Sequence, residues 1–309
     1  MKKLLLAVLA DEVYAGRFAD YVNHYKNSFI ELMVFTTLQS LSDYIKNSII
    51  DILLFDNIIS EHIPADKNIH KIIILSDGEC VKEGNEHPVI FKFQSADMIV
   101  KEILNDAAED DKIKKLSVGC IHVQTEFIAV FSPFGGAGVT GFAKNMSRNM
   151  GLNKPTLYIN LEIFDGFAEF SDVADVDRRY IRGMSEVVFY MKQNKDKLAF
   201  KLESVIKKAD NYSMILPVED YRDLYSIKYK DIMLLIGVLS DEMPYEKVVF
   251  DIGYINDVSL KLMNMCDKLI MPKPTDTVQQ NKYNAFIRLL SREKLDRLKD
   301  KISLVDMQK

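Results

Sequence analysis

Tryptophan is absent from the 309 residues, prolines number eight and cysteines only three. Cys80, Cys120 and Cys266 are far apart and lack metal-ligand spacing, which speaks against a disulfide framework and fits free thiols in a reducing compartment. The five histidines, His24, His62, His70, His87 and His122, are equally scattered, so neither a hydrolase triad nor a histidine metal cluster is visible. No run approaches the roughly 18–20 apolar residues that cross a bilayer. The apolar start, Leu4–Ala10, ends at Asp11-Glu12 without a convincing cleavage site, and is expected to be a buried first strand rather than a signal peptide. Nor is there a long basic block. Forty Lys and Arg stand against 45 Asp and Glu, a net charge of −5, so a grip on nucleic acid is not expected. A cytoplasmic protein whose membrane association is only indirect is expected.

What is present is ordinary globular composition, 48% hydrophobic and 28% charged, in a chain long enough for two domains. Short apolar, β-branched runs alternate with amphipathic stretches from end to end. In residues 1–105 strands are expected at Leu4–Ala10, Ile30–Phe35, Asp51–Phe55, Ile72–Leu75 and Val89–Phe93, with helices at Tyr14–Tyr25, Leu38–Ser48 and Asp97–Asn105. The charged stretch 106–123 reads as a linker. In residues 124–309 strands are expected at Phe127–Phe131, Lys154–Glu162, Tyr212–Pro217, Glu246–Gly253 and Lys268–Pro272. Helices are expected at Gly141–Met150, over one or two segments of Ser185–Lys208, and at Asp231–Leu239, Val258–Met265 and Thr277–Leu290. Val218–Ile227 reads as a loop and turn, and Ser291–Lys309 as a highly charged end. Continuous apolar strands, rather than alternating ones, predict two doubly wound parallel-sheet α/β domains.

Ligands bind such sheets at the carboxyl ends of their strands, and Asp11, Glu12, Asp56, Ser76 and Lys92 stand there in the first domain. The five resemble the set of a response-regulator receiver domain: an acidic pair for Mg2+, a phosphoaccepting aspartate, a hydroxyl and a lysine for the phosphoryl group. A carboxylate nucleophile needs a cation to neutralise the charge gathering on a transferred phosphoryl. Spacing argues against activity. Only 19 residues separate Asp56 from Ser76 and 15 separate Ser76 from Lys92, too few for two full crossover helices. A truncated receiver-like interaction domain is expected, with phosphorylation of Asp56 as the alternative.

The second domain opens with an apolar strand, the loop Ser132-Pro-Phe-Gly-Gly-Ala-Gly138, and a helix-like stretch from Val139-Thr140-Gly141. That order is a phosphate-binding loop, in which amides of the loop and helix N-terminus face an anion. Gly135, Gly136, Ala137 and Gly138 permit close backbone approach. Thr140 offers a hydroxyl to Mg2+. Asp251, ending the run Val248–Phe250, is placed as a Walker B carboxylate, and Asn160 and Glu162 end the strand expected beside it. The lysine such a loop needs is missing: Val139 stands in its place. Lys144, one turn further on, aims at a surface.

The loop, Asn160-Leu-Glu162, Asp251-Ile-Gly253 and Cys266-Asp-Lys-Leu-Ile-Met-Pro272, in this order, resemble the MinD/ParA superfamily of deviant Walker A ATPases. Within it the chain resembles the CpaE/TadZ group, which carries an N-terminal receiver-like domain; Phe91–Asp97 resembles the end of that domain. The resemblance implies nucleotide contacts from residues 135–141 and Pro272, a Mg2+ ion at Thr140, Asp251 and Glu162, and a homodimer. It also implies protein partners in a pilus, secretion or division apparatus, with recruitment by them to the membrane or cell pole. Against the family pattern Lys-Gly-Gly-x-Gly-Lys-Ser/Thr, Phe134 replaces the signature lysine, Val139 the Walker lysine, and Asn160 the first switch carboxylate. Losing such charges costs several kcal/mol of transition-state stabilisation, roughly 10³-fold or more in rate. A positioning or scaffold protein that binds ATP and Mg2+ weakly or not at all is expected; a slow dimerising ATPase and a response regulator are the alternatives.

Overall fold

The computed structural model describes residues 3–25, 29–56, 66–78, 87–110, 113, 124–163, 183–193 and 197–307. The chain divides into two compact units, Met1–Cys120 and Ile121–Lys309. Each is α/β and doubly wound, as the alternation of apolar and amphipathic runs predicts.

The first unit runs β1 (Leu4–Leu9), α1 (Glu12–Tyr25), β2 (Ile30–Phe35), α2 (Leu38–Ile45), β3 (Ile50–Asp56), β4 (Ile69–Ser76), β5 (Val89–Phe91) and α3 (Ala96–Glu109). Its five strands lie in the order β2-β1-β3-β4-β5, all parallel. The switch point of this order lies between β1 and β3, where Asp11 and Asp56 emerge. β3 sits centrally and is buried along its whole length, which is why its sequence is apolar on both faces. Two helices start at side-chain caps, Thr37 accepting from the Ser40 amide at 3.2 Å and Ser95 from that of Met98 at 3.3 Å. α3 continues to Glu109 with Ala107 and Ala108 buried, so the charged run from Asp106 begins as its last turn, and Asp106 pairs with Lys71 at 2.6 Å. The shortened connections expected after Asp56 and Ser76 fall largely on 57–65 and 79–86, outside the described residues, as do Cys80, Cys120, His62 and His122.

The second unit comprises β6 (Glu126–Phe131), α4 (Val139–Gly151), β7 (Thr156–Leu161), α5 (Met184–Gln193), α6 (Leu198–Val205), β8 (Lys207–Lys208), β9 (Ser213–Ile215), α7 (Tyr221–Ser226), α8 (Tyr229–Asp241), β10 (Lys247–Ile252), α9 (Asp257–Met265), β11 (Lys268–Pro272), α10 (Thr277–Arg292), α11 (Asp296–Lys299) and β12 (Ile302–Val305). The sheet order is β12-β11-β6-β10-β7-β9-β8. All pairs are parallel except the short β8–β9 ladder. The central position of β6 and β10 explains their unbroken apolar runs.

Two expectations are corrected. The stretch read as loop and turn contains α7, whose start is capped by Asp220 accepting from the Arg222 amide at 2.8 Å. The charged end is not a bare tail: Ile302–Val305 adds an edge strand to β11. Its apolar alternation is only four residues long and sits between Lys299-Asp-Lys301 and Asp306, so charge masks it in the sequence. Lys301 anchors the turn before it, donating to the carbonyls of Asn264 and Cys266 at 2.8 and 2.9 Å. Among the described residues no helix is long and apolar enough to cross a membrane.

Candidate functional site

The glycine loop leaves β6 at Phe131 and re-enters regular structure at Val139. Its first turn is tied by Ser132, whose Oγ accepts from the Phe134 amide at 3.1 Å and donates to the Phe134 carbonyl at 2.6 Å. Phe134 is buried, with 5% exposed, so the ring fills core where the resemblance calls for a cation reaching outward. Gly136 and Gly138 both have φ of 73°, the left-handed conformation that glycine adopts without strain. Nothing lies within 4 Å of where a Cβ would stand at Gly135, Gly136 or Gly141, and α4 begins at Gly138 with no side-chain cap. The first-turn amides therefore have no side-chain cap competing with an anion. Val139 is half-buried and packs with Phe142, Met146, Met150 and Met307 against the core. Gly138 and Gly141 open onto a cavity of about 670 Å³ along the outer face of α4, lined also by Asn145, Asn149 and Asn153.

Below the loop the parallel register sets Asp251 between Val130 and Asn160. Asp251 is fully buried. Its Oδ2 accepts from the Tyr158 hydroxyl at 2.7 Å, while Oδ1 is buried without a hydrogen-bond partner. Glu162 leans over the same strand end, accepting from Thr140 Oγ1 at 3.3 Å. It can do so because the residue beneath it is glycine: a Cβ on Gly253 would collide with the Glu162 carboxylate. Asn160 Oδ1 accepts from the Glu162 amide at 2.7 Å, fixing the turn, and its Nδ2 is a second buried group without a partner.

Charge follows from this packing. Burial raises the Asp251 carboxyl above the ordinary aspartate range, against the hydroxyls of Tyr158 and Thr140 which lower it. Burial and then the neighbouring Asp251 raise Glu162, again opposed by Thr140. Tyr158 is raised by burial and by Asp251, and remains a neutral donor. Among the described residues no lysine or arginine forms an ion pair with either carboxylate. A hydroxyl and two carboxylates, one of them with an orphaned buried oxygen, form a hard-cation donor set, so these residues fit a magnesium ion. The loop fits a phosphate through its amides alone. Pro272 ends β11, one strand from β6 on the side away from Asp251, and is buried. Among the described residues no group of three or more His, Cys, Asp and Glu gathers as a metal site.

No motif in the sequence marks Tyr158, which holds the Asp251 carboxylate from 93 positions away. The two-residue period of a strand offers a signal: if Asn160 faces a cleft, Tyr158 lies on the same face.

In the first unit the strand ends bring together four of the five expected residues. Asp56, Ser76 and Lys92 are buried, with 1%, 5% and 6% exposed. Lys92 Nζ donates to Asp56 Oδ2 and to Asp11 Oδ2 at 3.3 Å. Ser76 receives the Lys92 amide on its carbonyl at 2.7 Å and the Gly78 amide on its hydroxyl at 3.2 Å. Glu12 is exposed at the start of α1 and makes no ion pair with Lys92. Tyr14 was not anticipated. Its ring lies 4.9 Å from Lys92 Nζ, and its hydroxyl is buried without a partner. Burial and the charges of Asp56 and Asp11 push Tyr14 up to about 12. Burial opposes charge on Lys92, but Asp56 and Asp11 outweigh it and the ammonium is stabilised. Asp11 is lowered, chiefly by the Tyr14 amide and also by Lys92, against burial.

No family model and no curated protein matches the chain. Solved structures that align with it include a ParA family ATPase from Chlorobium tepidum, at 12% identity over 59% of this chain and 73% of that one, with a TM-score of 0.46. A plasmid partition protein from Borrelia burgdorferi bound to AMPPNP aligns at 20% identity over 58% and 73% of the two chains, TM-score 0.44. The MinC:MinD cell division complex of Aquifex aeolicus aligns at 13% identity over 58% and 67%, TM-score 0.42.

Proposed function

We propose that the chain is a positioning or scaffold protein of the CpaE/TadZ kind within the MinD/ParA class. It serves a pilus, secretion or division apparatus through protein contacts, as a homodimer, and its second unit binds Mg-nucleotide weakly or not at all. One observation carries the reading: the loop keeps its left-handed glycines and uncapped helix start above a buried Asp251, yet Val139 and Phe134 pack into the protein where cations would face phosphate. Loop amides orient a phosphate, while transition-state charge on a transferred phosphoryl needs a positive group. Thr140, Asp251 and Glu162 would hold a magnesium ion, which would supply that positive charge. Tyr158 keeps Asp251 aimed, and Gly253 leaves room for Glu162.

The test is calorimetry of Mg-ATP against the full chain, beside a turnover assay. Weak or absent heat with negligible hydrolysis is expected, and Val139→Lys should strengthen binding by about tenfold or more, since a charge-assisted contact is worth about 1.5–3 kcal/mol. Turnover in the usual range of about 1 s⁻¹ or above would overturn the reading. The Asp11, Asp56 and Lys92 cluster supports a second reading, phosphorylation of Asp56; an unchanged mass after acetyl phosphate treatment would remove it.

A further inference from the structure

The second unit has a groove that the glycine-loop chemistry leaves unused. It lies where Phe131–Pro133 and Gly253–Ile255 leave the sheet, has α10 as its other wall, and encloses about 790 Å³. Its floor is apolar: Phe131 packs on Phe286 with ring centroids 5.3 Å apart, Tyr254 is buried, and Ile255 is 43% exposed. Lys282, Ala285, Leu289 and Arg292 recur at helical spacing along α10, with Arg288 beside them. The three cations are exposed. Among the described residues Lys282 and Arg288 have no ion-pair partner, and Arg292 has only its exposed chain neighbour Glu293 at 3.5 Å. In a chain of net charge −5 this is a local surplus of positive charge. From Tyr254 an aromatic row continues outward through Tyr225, at 5.7 Å between centroids, to Tyr221, at 6.1 Å. Both outer tyrosines are more than half exposed. Tyrosine, arginine and aliphatic side chains in one place are the composition of protein-interface hot spots.

We infer that this groove docks an acidic segment of a partner protein. Its carboxylates would meet Lys282, Arg288 and Arg292, and one apolar or aromatic side chain would cover the floor between Ile255 and Leu289. The apolar contact supplies burial, and the cations supply selectivity for an acidic chain and faster encounter. A second copy centred on the groove does not suit the place: a two-fold axis there sets the same patch against itself, bringing three cations against three. The inference rests on the proposed role through protein contacts and adds the surface and the chemistry.

The experiment is selection of a random-peptide phage library on the immobilised full chain, followed by fluorescence anisotropy of the selected peptides. Peptides rich in Asp and Glu around an apolar anchor are expected, with affinity falling as salt rises. Arg288→Glu/Arg292→Glu should weaken them roughly tenfold or more, because attraction becomes repulsion. Arg288→Lys/Arg292→Lys should keep most of the binding, and Lys282→Glu alone should weaken it less than the double reversal. Neutral or basic selected peptides, no enrichment at all, or equal binding by the double reversal would each overturn the inference. So would a changed oligomeric state of the double reversal in sedimentation equilibrium, which would make the groove a self-interface. Absence of Mg-ATP binding bears only on the glycine loop, so the two readings fail separately.

Discussion

Each unit gathers carboxylates at the ends of its central strands, and the two clusters are electrically opposite in design. In the first, Asp56 and Asp11 share Lys92, so the buried negative charge is cancelled from within. In the second, Glu162 accepts from a threonine hydroxyl and Asp251 from a tyrosine, and neither pairs with a cation among the described residues. A cluster that carries its own counter-ion is complete without ligand. A cluster left with surplus negative charge and an orphaned oxygen is stabilised by a cation from outside, because an unpaired buried charge is costly.

The strongest way to break that comparison is to remove Lys92. Lys92→Met removes the ammonium that the buried Asp56 shares with Asp11, and should cost about 3–5 kcal/mol, read by urea denaturation of the full chain. Lys92→Met/Asp56→Asn should recover much of it, and an undiminished loss in the double variant would show that Lys92 acts by packing instead. The corresponding change in the second unit goes the other way. Asp251→Asn removes a surplus charge while keeping a group that Tyr158 can bond, so it should cost at most about 1 kcal/mol. It should also abolish any thermal shift with Mg-ATP. Between them lies the loop: Gly138→Ala places a Cβ at a φ of 73°, and should cost about 1–2 kcal/mol. A smaller loss would mean that the loop relaxes to another conformation.

The strands and most helices were legible because their apolar runs are long against their charged surroundings, as in Ile50–Asp56 and Lys247–Ile252. Ile302–Val305 was not, being short and flanked by charge, and α7 was hidden because its helix start is an aspartate that also suits a turn. At the second site the residue types were visible, Thr140, Glu162 and Asp251 among them. Their interactions were not, because these depend on register: which strand neighbours β10 decides that Tyr158 bonds Asp251, and Gly253 beneath Glu162 matters only once β7 and β10 are paired. Likewise, the sequence placed Lys92 at a strand end, but only the packed sheet shows it spanning Asp56 and Asp11.

The smallest predicted effect separates the two clusters by pH. Glu162 and Asp251 have folded values raised above their unfolded ones. Their contribution to stability is therefore full below the ordinary carboxylate range and is lost as pH rises through the raised values. Asp11 is lowered, so its contribution is present above the ordinary aspartate value and is lost as pH falls through the lowered one. Subtracting the melting temperature of Glu162→Gln/Asp251→Asn from that of wild type should give a difference that falls with rising pH. The same subtraction for Asp11→Asn should give a difference that falls with acidification. For the Glu162 and Asp251 pair shifts on the order of a few degrees are expected, since 1 kcal/mol moves the midpoint of a domain of this size by about 2–4 °C; for Asp11, whose carboxylate is 55% exposed, solvent screening makes the shift smaller. Magnesium with nucleotide should flatten the first curve, because a cation on Asp251 and Glu162 favours the charged forms that burial opposes, and should leave the second unmoved. A first curve that rises with pH without added cation would mean that some positive group already reaches the second cluster, and the contrast between the two units would be lost.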